Sequence, residues 1–477
     1  MDTLPTELLL HILSHLDVPP PSVTRFSHEP SILLTTSKSI PLKSLRLTSH
    51  RFHALTTPIL FQNCVLSLDR ALLLLPIDAR TLDAMQAALK TLSPHELAVY
   101  ISMRAKLDAT QPGAYQEEFD TVMLEFVDVK PGDKWMEQSG RASWVPRLPP
   151  QFREMEKFLR DHNLRHKVDS LVVVAQRDYE PDFGYSTNTV DGRMYTYHAV
   201  QDLWKSVFTL LNPERVVVAA PPGTLATLTE TSTLSSDGWA FEMFCHYLEL
   251  RQDRPKKLES EMKAEELALQ RPDGYVLGTG PVTGDRSSLL IYARPWTHIG
   301  YNEGNSVPVY STYEYHLKQT PKVLYLVLAR LGKETCCYVR SLTFVAIFPF
   351  SSHMRTMLRS MRKVPTLKQL RVQLAPGKEN NILTDRIRMR KAQRGDLWME
   401  LDGCYSKIAE FLWSMGQGAE FRSDDGSIGC GGKSFQGSMK KMGDLHNLEN
   451  PEEVVEWNEN GAGRWKRIDA LNEATKG

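Results

Sequence analysis

Residues 152–175 read FREMEKFLRDHNLRHKVDSLVVVA, a charged helix-like stretch that runs into an unbroken apolar run. The same unit recurs down the chain: VQDLWKSVFTLL leads to ERVVVAA (214–220), TPKVLYLVLARL to VRSLTFVAIF (339–348), and MRTMLRSMRKV to LKQLRVQLA (367–375). SSLLIYA (287–293) reads as a further strand. Helices alternating with short, β-branched, fully apolar runs argue a parallel sheet with helices on its outside. The last two strand cores lie about one leucine-rich-repeat length apart and carry SLxxV- and QLxV-like runs. The earlier intervals are longer and irregular, and the repeat's diagnostic Asn is missing. The expectation is an α/β leucine-rich-repeat-like degenerate solenoid over 151–422, with long insertions at 176–199 and 221–286.

Outward from this block the pattern weakens. The charged RPKKLESEMKAEELALQR (254–271) reads as an exposed helix or a disordered insert. LWMELDGCYSKIAEFLW (397–413) reads as a helix, and 423–477 as a Gly- and charge-rich, partly flexible tail. Within that tail EEVVEWNENGAGRWKRI (452–468) is able to return as a hairpin. Residues 67–106 read as helical, with a capping box at Ser93-Pro94-His95-Glu96. Residues 107–150, punctuated by Pro-Gly and Pro-Pro, read as an irregular linker.

Composition narrows the function classes. A chain of 477 residues has room for two or three domains. Lys+Arg and Asp+Glu stand at 57 each, so no global field draws it to nucleic acid or an anionic membrane. Six scattered cysteines without a CxxC fit reduced thiols in cytoplasm or nucleus. No apolar run approaches the ~20 residues of a membrane helix.

The N-terminus is the most specific stretch. LPTELLLHILSHLD (4–17) places Leu8, Leu9, Ile12, Leu13 and Leu16 at helical spacing. Its acidic Asp2 and Glu7, with no Lys or Arg before Arg25, exclude a signal peptide. Residues 18–41 are rich in Ser, Thr and Pro and read as a flexible surface loop. LKSLRLTSHRFHALTTPILF (42–61) then carries a short helix capped by Thr48 or Ser49 and closed by Pro58. Two or three small helices in 66 residues bury too little surface to stand alone, so this unit needs a partner, either outside the chain or within it on residues 67–106.

These two blocks in order resemble the F-box motif in the form found in filamentous-fungal F-box proteins. The matching residues are Leu4, Pro5, Glu7, Leu8, Ile12, Leu16, Leu45, Leu47, Ser49, Phe52, Leu55, Leu60 and Phe61. Two departures are the loop between the blocks and Thr48, where an apolar residue is usual. DGWAFEMFCHYLELR (237–251), NEGNSVPVYSTYEYHLK (302–318) and FVAIFPFSSH (344–353) also resemble the C-terminal halves of such proteins. The resemblance implies an N-terminal all-α F-box, a small helical bundle over 1–66, that docks through Leu4, Pro5, Glu7, Leu8, Ile12, Leu16, Leu45, Leu47, Phe52, Leu55 and Leu60. Its partner would be a Skp-family adaptor and, through it, a cullin–RING ubiquitin ligase. The C-terminal domain would then hold an unknown protein substrate, with no nucleic acid, membrane or cofactor involved and no catalysis by this chain. A non-degradative interaction scaffold is the alternative, and an enzyme with an unrecognised site a remote one.

Other features weigh against chemistry. His11/His15 and His162/His166 have helical metal-pair spacing without a third ligand, so both read as solvated faces. GSIGCGGKS (426–434) misses the phosphate-loop spacing by one residue and reads as a Gly-rich loop. RIRMRKAQR (386–394) reads as a solvated basic helix face, with an acidic partner or a nuclear address as the alternatives. Cys336-Cys337 read as structural thiols. For substrate recognition the candidates are Trp296, Tyr301, Tyr310, Tyr313 and Tyr315, since aromatic side chains anchor interfaces.

Overall fold

In the computed structural model of the chain, described residues are 4–31, 34, 41–68, 72–77, 79–109, 123–128, 132–138, 143–149, 151–176, 189–211, 213–233, 237–253, 288–331, 338–377, 379–427, 431–449, 453–461 and 463–471. The strands are β1 (Asn63–Ser67), β2 (Leu72–Ile77), β3 (Met123–Asp128), β4 (Ser143–Val145), β5 (Ser170–Val174), β6 (Arg215–Ala220) and β7 (His246–Arg251). They continue with β8 (His298–Asn305), β9 (Ser341–Ile347), β10 (Gln369–Gln373), β11 (Glu420–Ser423), β12 (Glu453–Glu459) and β13 (Arg464–Leu471). Ten of them form one sheet in the order β1-β5-β6-β7-β8-β9-β10-β11-β13-β12. β1, β5 and β6 pair in parallel, as do β8, β9, β10 and β11, while β7 runs antiparallel between the two groups. β2, β3 and β4 make a separate three-stranded antiparallel sheet.

The expected alternation of helix and apolar strand is present, but the repeat solenoid is not. A solenoid stacks equal parallel units, whereas here β7 reverses direction mid-sheet and the antiparallel β13–β12 hairpin extends β11. Unequal connections permit this because each strand is held by its neighbours' backbone ladder and needs no fixed period. SSLLIYA is also not a strand: Leu289–Tyr292 is a helical turn whose Leu290 and Ile291 are buried. The region expected as a tail forms the helix Gly431–Glu449 and the β12–β13 hairpin, with Phe435, Met439 and Trp457 buried. In the 67–150 region the capping box forms as read, Ser93 N donating to Glu96 Oε2 at 2.8 Å and Glu96 N to Ser93 Oγ at 3.0 Å. Residues 254–271 and the Cys336-Cys337 pair lie outside the described residues.

Helices cover one face of the large sheet. Leu171 and Val173 of β5, Val216 and Val218 of β6, Leu342 and Phe344 of β9, and Leu370 of β10 face Trp204, Val207, Leu328, Met357, Leu358, Leu401 and Ile408 in one apolar core. The opposite face has a different cover. On β5 and β6 it is apolar too, through Val172, Val174, Val217 and Ala219, so water must be excluded there.

The described part of the 18–41 segment, residues 18–31 with Leu34, supplies that cover. Phe26 and Leu34 pack on those valines and on Tyr247. Around them the strap is bonded to the sheet. Arg215 Nη1 donates to Ser22 Oγ at 3.0 Å and Nη2 to Ser22 O at 2.7 Å. Asn302 Nδ2 donates to the carbonyls of Phe26 and His28 at 2.6 and 2.7 Å, and the Tyr247 hydroxyl to Ser31 O at 2.7 Å. Gly300 beneath Phe26 has no side chain for a steric reason, since a Cβ there would stand 2.9 Å from the Phe26 ring and from Glu249 Oε2.

The strap also corrects the expected all-α F-box bundle. The helices α1 (Thr6–Leu16), α2 (Pro21–Thr24), α3 (Pro41–Leu45) and α4 (His50–Leu60) are short, and they do not close into a self-contained unit. Leu9, Leu13, Leu42 and Phe52 form a small cluster among α1, α3 and α4, but α2 belongs to the strap and α4 runs within two residues into β1 of the large sheet. α4 is capped by Ser49, whose Oγ accepts from Phe52 N at 3.2 Å, and continues through Pro58 to Leu60.

If the strap is an integral layer, Phe26→Ala will lower stability by about 3 kcal/mol, the range for truncating a packed Phe. Urea denaturation checks this; a change within about 0.5 kcal/mol, the range of surface substitutions, would mean the strap is an ornament.

Candidate functional site

Alternation places every second strand residue on the strap side of the sheet. Past Gly300 these positions turn polar: Thr343 on β9, Arg371 on β10, Arg422 on β11 and Arg464 on β13 are successive cross-strand neighbours. A parallel row holds His298, Ser341, Gln369, Glu420 and Lys466. The strap stops at the edge of this zone and leaves a groove of about 710 Å³, with Val23 and Phe26 as its apolar wall and these strands as its floor.

Its electrostatics are graded from deep to shallow. At the covered end Arg215 and Glu249 form a nearly buried pair, Arg215 Nε donating to Glu249 Oε1 at 2.5 Å. At the open end Asp424 accepts from both Arg371 (2.5 Å) and Arg422 (2.8 Å), and Lys466 lies 3.6 Å from Glu420. Arg251 stands 3.1 Å from Asp253 without a directed hydrogen bond from its Nε.

One constellation in the groove looks catalytic. His298 Nδ1 lies 2.8 Å from Ser341 Oγ, and Nε2 faces Glu249 Oε2 at 4.0 Å. The parts do not act together as nucleophile, base and acid. The 4.0 Å contact is too long for a hydrogen bond, and Glu249 is committed to Arg215. Burial pushes the His298 imidazole down to about 4, against the opposing pull of Glu249, which makes it a weak base near neutrality. The Ser341 amide donates to Thr297 O and is not aimed at a developing oxyanion. The arrangement suits binding better than acyl transfer.

Two apolar surfaces lie elsewhere. On α1, Leu9 and Leu13 point into the small cluster while Leu8, Ile12 and Leu16 form an i, i+4 stripe outward, 52, 42 and 37% exposed. Leu10 and Leu47 are also exposed, and Arg51 ties the helix start to α4 through Leu4 O at 2.6 Å. Of the other expected docking residues, Pro5 and Glu7 are exposed, Leu4, Leu45, Leu55 and Leu60 half-buried, and Phe52 buried. The second surface is a rim with exposed Trp239, Phe244, Tyr313, Leu317 and Ile387. Its segments are cross-linked by Arg390 to Glu242 (both bonds 2.9 Å) and by Lys318 above the Trp239 ring.

The aromatic candidates divide by burial. Trp296, Tyr301 and Tyr310 are core residues: Trp296 donates to Leu290 O at 2.9 Å, Tyr301 pairs with His246 at 2.7 Å, and Tyr310 donates to Phe348 O at 3.0 Å. Tyr315 is half-buried against Tyr310 and Phe350, and Tyr313 alone of the five is fully presented. Within RIRMRKAQR, Met389 is buried and Ile387 exposed, while Arg388 pairs with Glu29 of the strap. The arginine row was missed from sequence because its members sit on separate strands. The signal that does exist is local: the alternating QLRVQ and EFRS differ from the solid SLVVV and RVVVAA.

His298 gives a signed pH test. Because its folded value lies below the ordinary 6.5, the unfolded chain binds a proton that the folded chain does not as pH falls from 6.5 toward 4, and stability is lost in that window. Between pH 7 and pH 5 the wild type will therefore lose roughly 2 kcal/mol more than His298→Gln in urea titrations. Equal losses would show that the imidazole titrates freely.

Among the described residues no helix is long and apolar enough to cross a membrane, and no group of three or more candidate ligands is placed to hold a metal ion. In comparisons with protein-family models, curated proteins and solved structures, nothing matches this chain.

Proposed function

We propose that the chain is a substrate receptor that engages a Skp-family adaptor of a cullin–RING ubiquitin ligase through its N-terminal helices and presents a client protein from the sheet domain. The observation that carries this reading is the division of α1: two leucines hold the helix down while Leu8, Ile12 and Leu16 line an outward stripe that stays 37–52% exposed among the described residues. Each such residue contributes about 1.5–3 kcal/mol when fully buried, so a few anchors suffice for specific docking after association costs. The F-box-like residue pattern in the same stretch supplies the kind of partner. The docking element in this reading is an exposed helix stripe on a short-helix appendage of the sheet, not an independent all-α domain. The groove, built for binding rather than bond chemistry, and the aromatic rim are the surfaces available to a client. Ligation chemistry would reside in other subunits, and holding a client near them raises its effective concentration.

The stripe is testable without disturbing the fold. Leu8→Asp combined with Ile12→Asp will abolish co-purification with a Skp-family adaptor while leaving the urea midpoint unchanged within error. Phe52→Ala, by contrast, will soften the small cluster because Phe52 is buried in it. Adaptor binding undiminished by the double charge substitution would remove the receptor reading.

A further inference from the structure

The row Arg371, Arg422, Arg464 places like charges on adjacent strands about 4.8 Å apart, an arrangement that destabilises a sheet when nothing anionic faces it. Asp424 serves two of the three guanidinium groups, and both remain close to half exposed. Within the groove lining, Arg215, Arg251, Arg371, Arg422, Arg464 and Lys466 outnumber Glu249, Glu420 and Asp424, and outside it Asp253 answers Arg251. In a chain whose total charge balances, this local surplus is a placed feature rather than a consequence of composition. Guanidinium forks match carboxylates in bidentate geometry, and Arg is the residue type suited to that task. Beside the row, Val23 is 53% exposed, so an apolar wall stands next to the cationic floor.

We infer that this groove is the recognition site for an extended acidic peptide segment of a partner protein. Its Asp or Glu carboxylates are taken by Arg371, Arg422 and Arg464, and an apolar side chain among them rests on Val23 and Phe26. A nucleic acid fits the groove less well. A peptide can set its carboxylates opposite the arginines and away from Glu249, Glu420 and Asp424, whereas a nucleic acid carries a phosphate at every nucleotide and must run against them. That this segment belongs to a client destined for ubiquitination rests on the receptor reading; the binding itself does not.

The test is fluorescence anisotropy of the full chain with a labelled twelve-residue peptide of Asp and Glu around one Leu. An Asn/Gln peptide and a single-stranded oligonucleotide of equal charge serve as comparisons. Saturable, salt-sensitive binding of the acidic peptide is expected, weakened at least tenfold in Arg371→Glu/Arg422→Glu and about threefold in Arg464→Gln. The second variant alters an exposed residue beside the hairpin turn, which keeps the test valid if the double variant misfolds. No saturable binding, equal binding of the neutral peptide, tighter binding of the oligonucleotide, or unchanged affinity in folded variants would each overturn the proposal. Adaptor co-purification is measured on the same proteins. A chain that binds adaptor but not peptide refutes the groove assignment alone, and one that binds peptide but not adaptor refutes the receptor reading alone.

Discussion

Everything on the open side of this molecule depends on how residues 20–31 and Leu34 lie against the sheet. β5 and β6 carry apolar side chains on both faces, and among the described residues the long helices pack on one of them. An uncovered patch of Val172, Val174, Val217 and Ala219 would be an aggregation surface, so the chain lays Phe26 and Leu34 across it. Arg215, Tyr247 and Asn302 then satisfy the strap's backbone carbonyls, which would otherwise be poorly solvated beneath the segment.

The groove is the other half of the same constraint. Where the strap ends, the strands no longer need cover, and their open-face positions become Thr343, Arg371, Arg422 and Arg464. The transition passes through Gly300 and the Arg215–Glu249 pair. The glycine gives the Phe26 ring room, and the pair neutralises charge at the line between covered and open sheet. A nearly buried pair of this kind is costly to break and contributes little as an intact unit, so its evident use is to fix where the strap lies.

The same logic separates the two apolar surfaces. On α1 the inward leucines are satisfied by Leu42 and Phe52, and the outward stripe is a surplus that the local cluster does not explain. The rim around Tyr313 is likewise more apolar than isolated exposed side chains require, and its cross-links through Arg390 and Lys318 hold it in one shape. In the proposed reading, docking falls to α1 and client recognition to the sheet's open side, while the strap between them in sequence supplies structural cover.

Local sequence determined the elements whose physics is local. The SLVVV and RVVVAA runs are strands because β-branched residues buried on both faces have few other uses. The Ser93–Glu96 capping box forms because its donors and acceptors lie three residues apart. The outward α1 stripe is likewise written in a single helical period. Strand order, the reversal of β7, and the C-terminal hairpin's place in the sheet were decided by tertiary pairing, since a strand's neighbour is chosen by backbone hydrogen bonds that carry no residue code. A Ser/Pro-rich stretch reads as loop because its apolar residues, Phe26 and Leu34 among them, follow no helical or strand period. It becomes a structural layer once two valine-rich strands need a lid. The arginine row is the clearest case: its members lie on three separate strands, and only folding makes them neighbours.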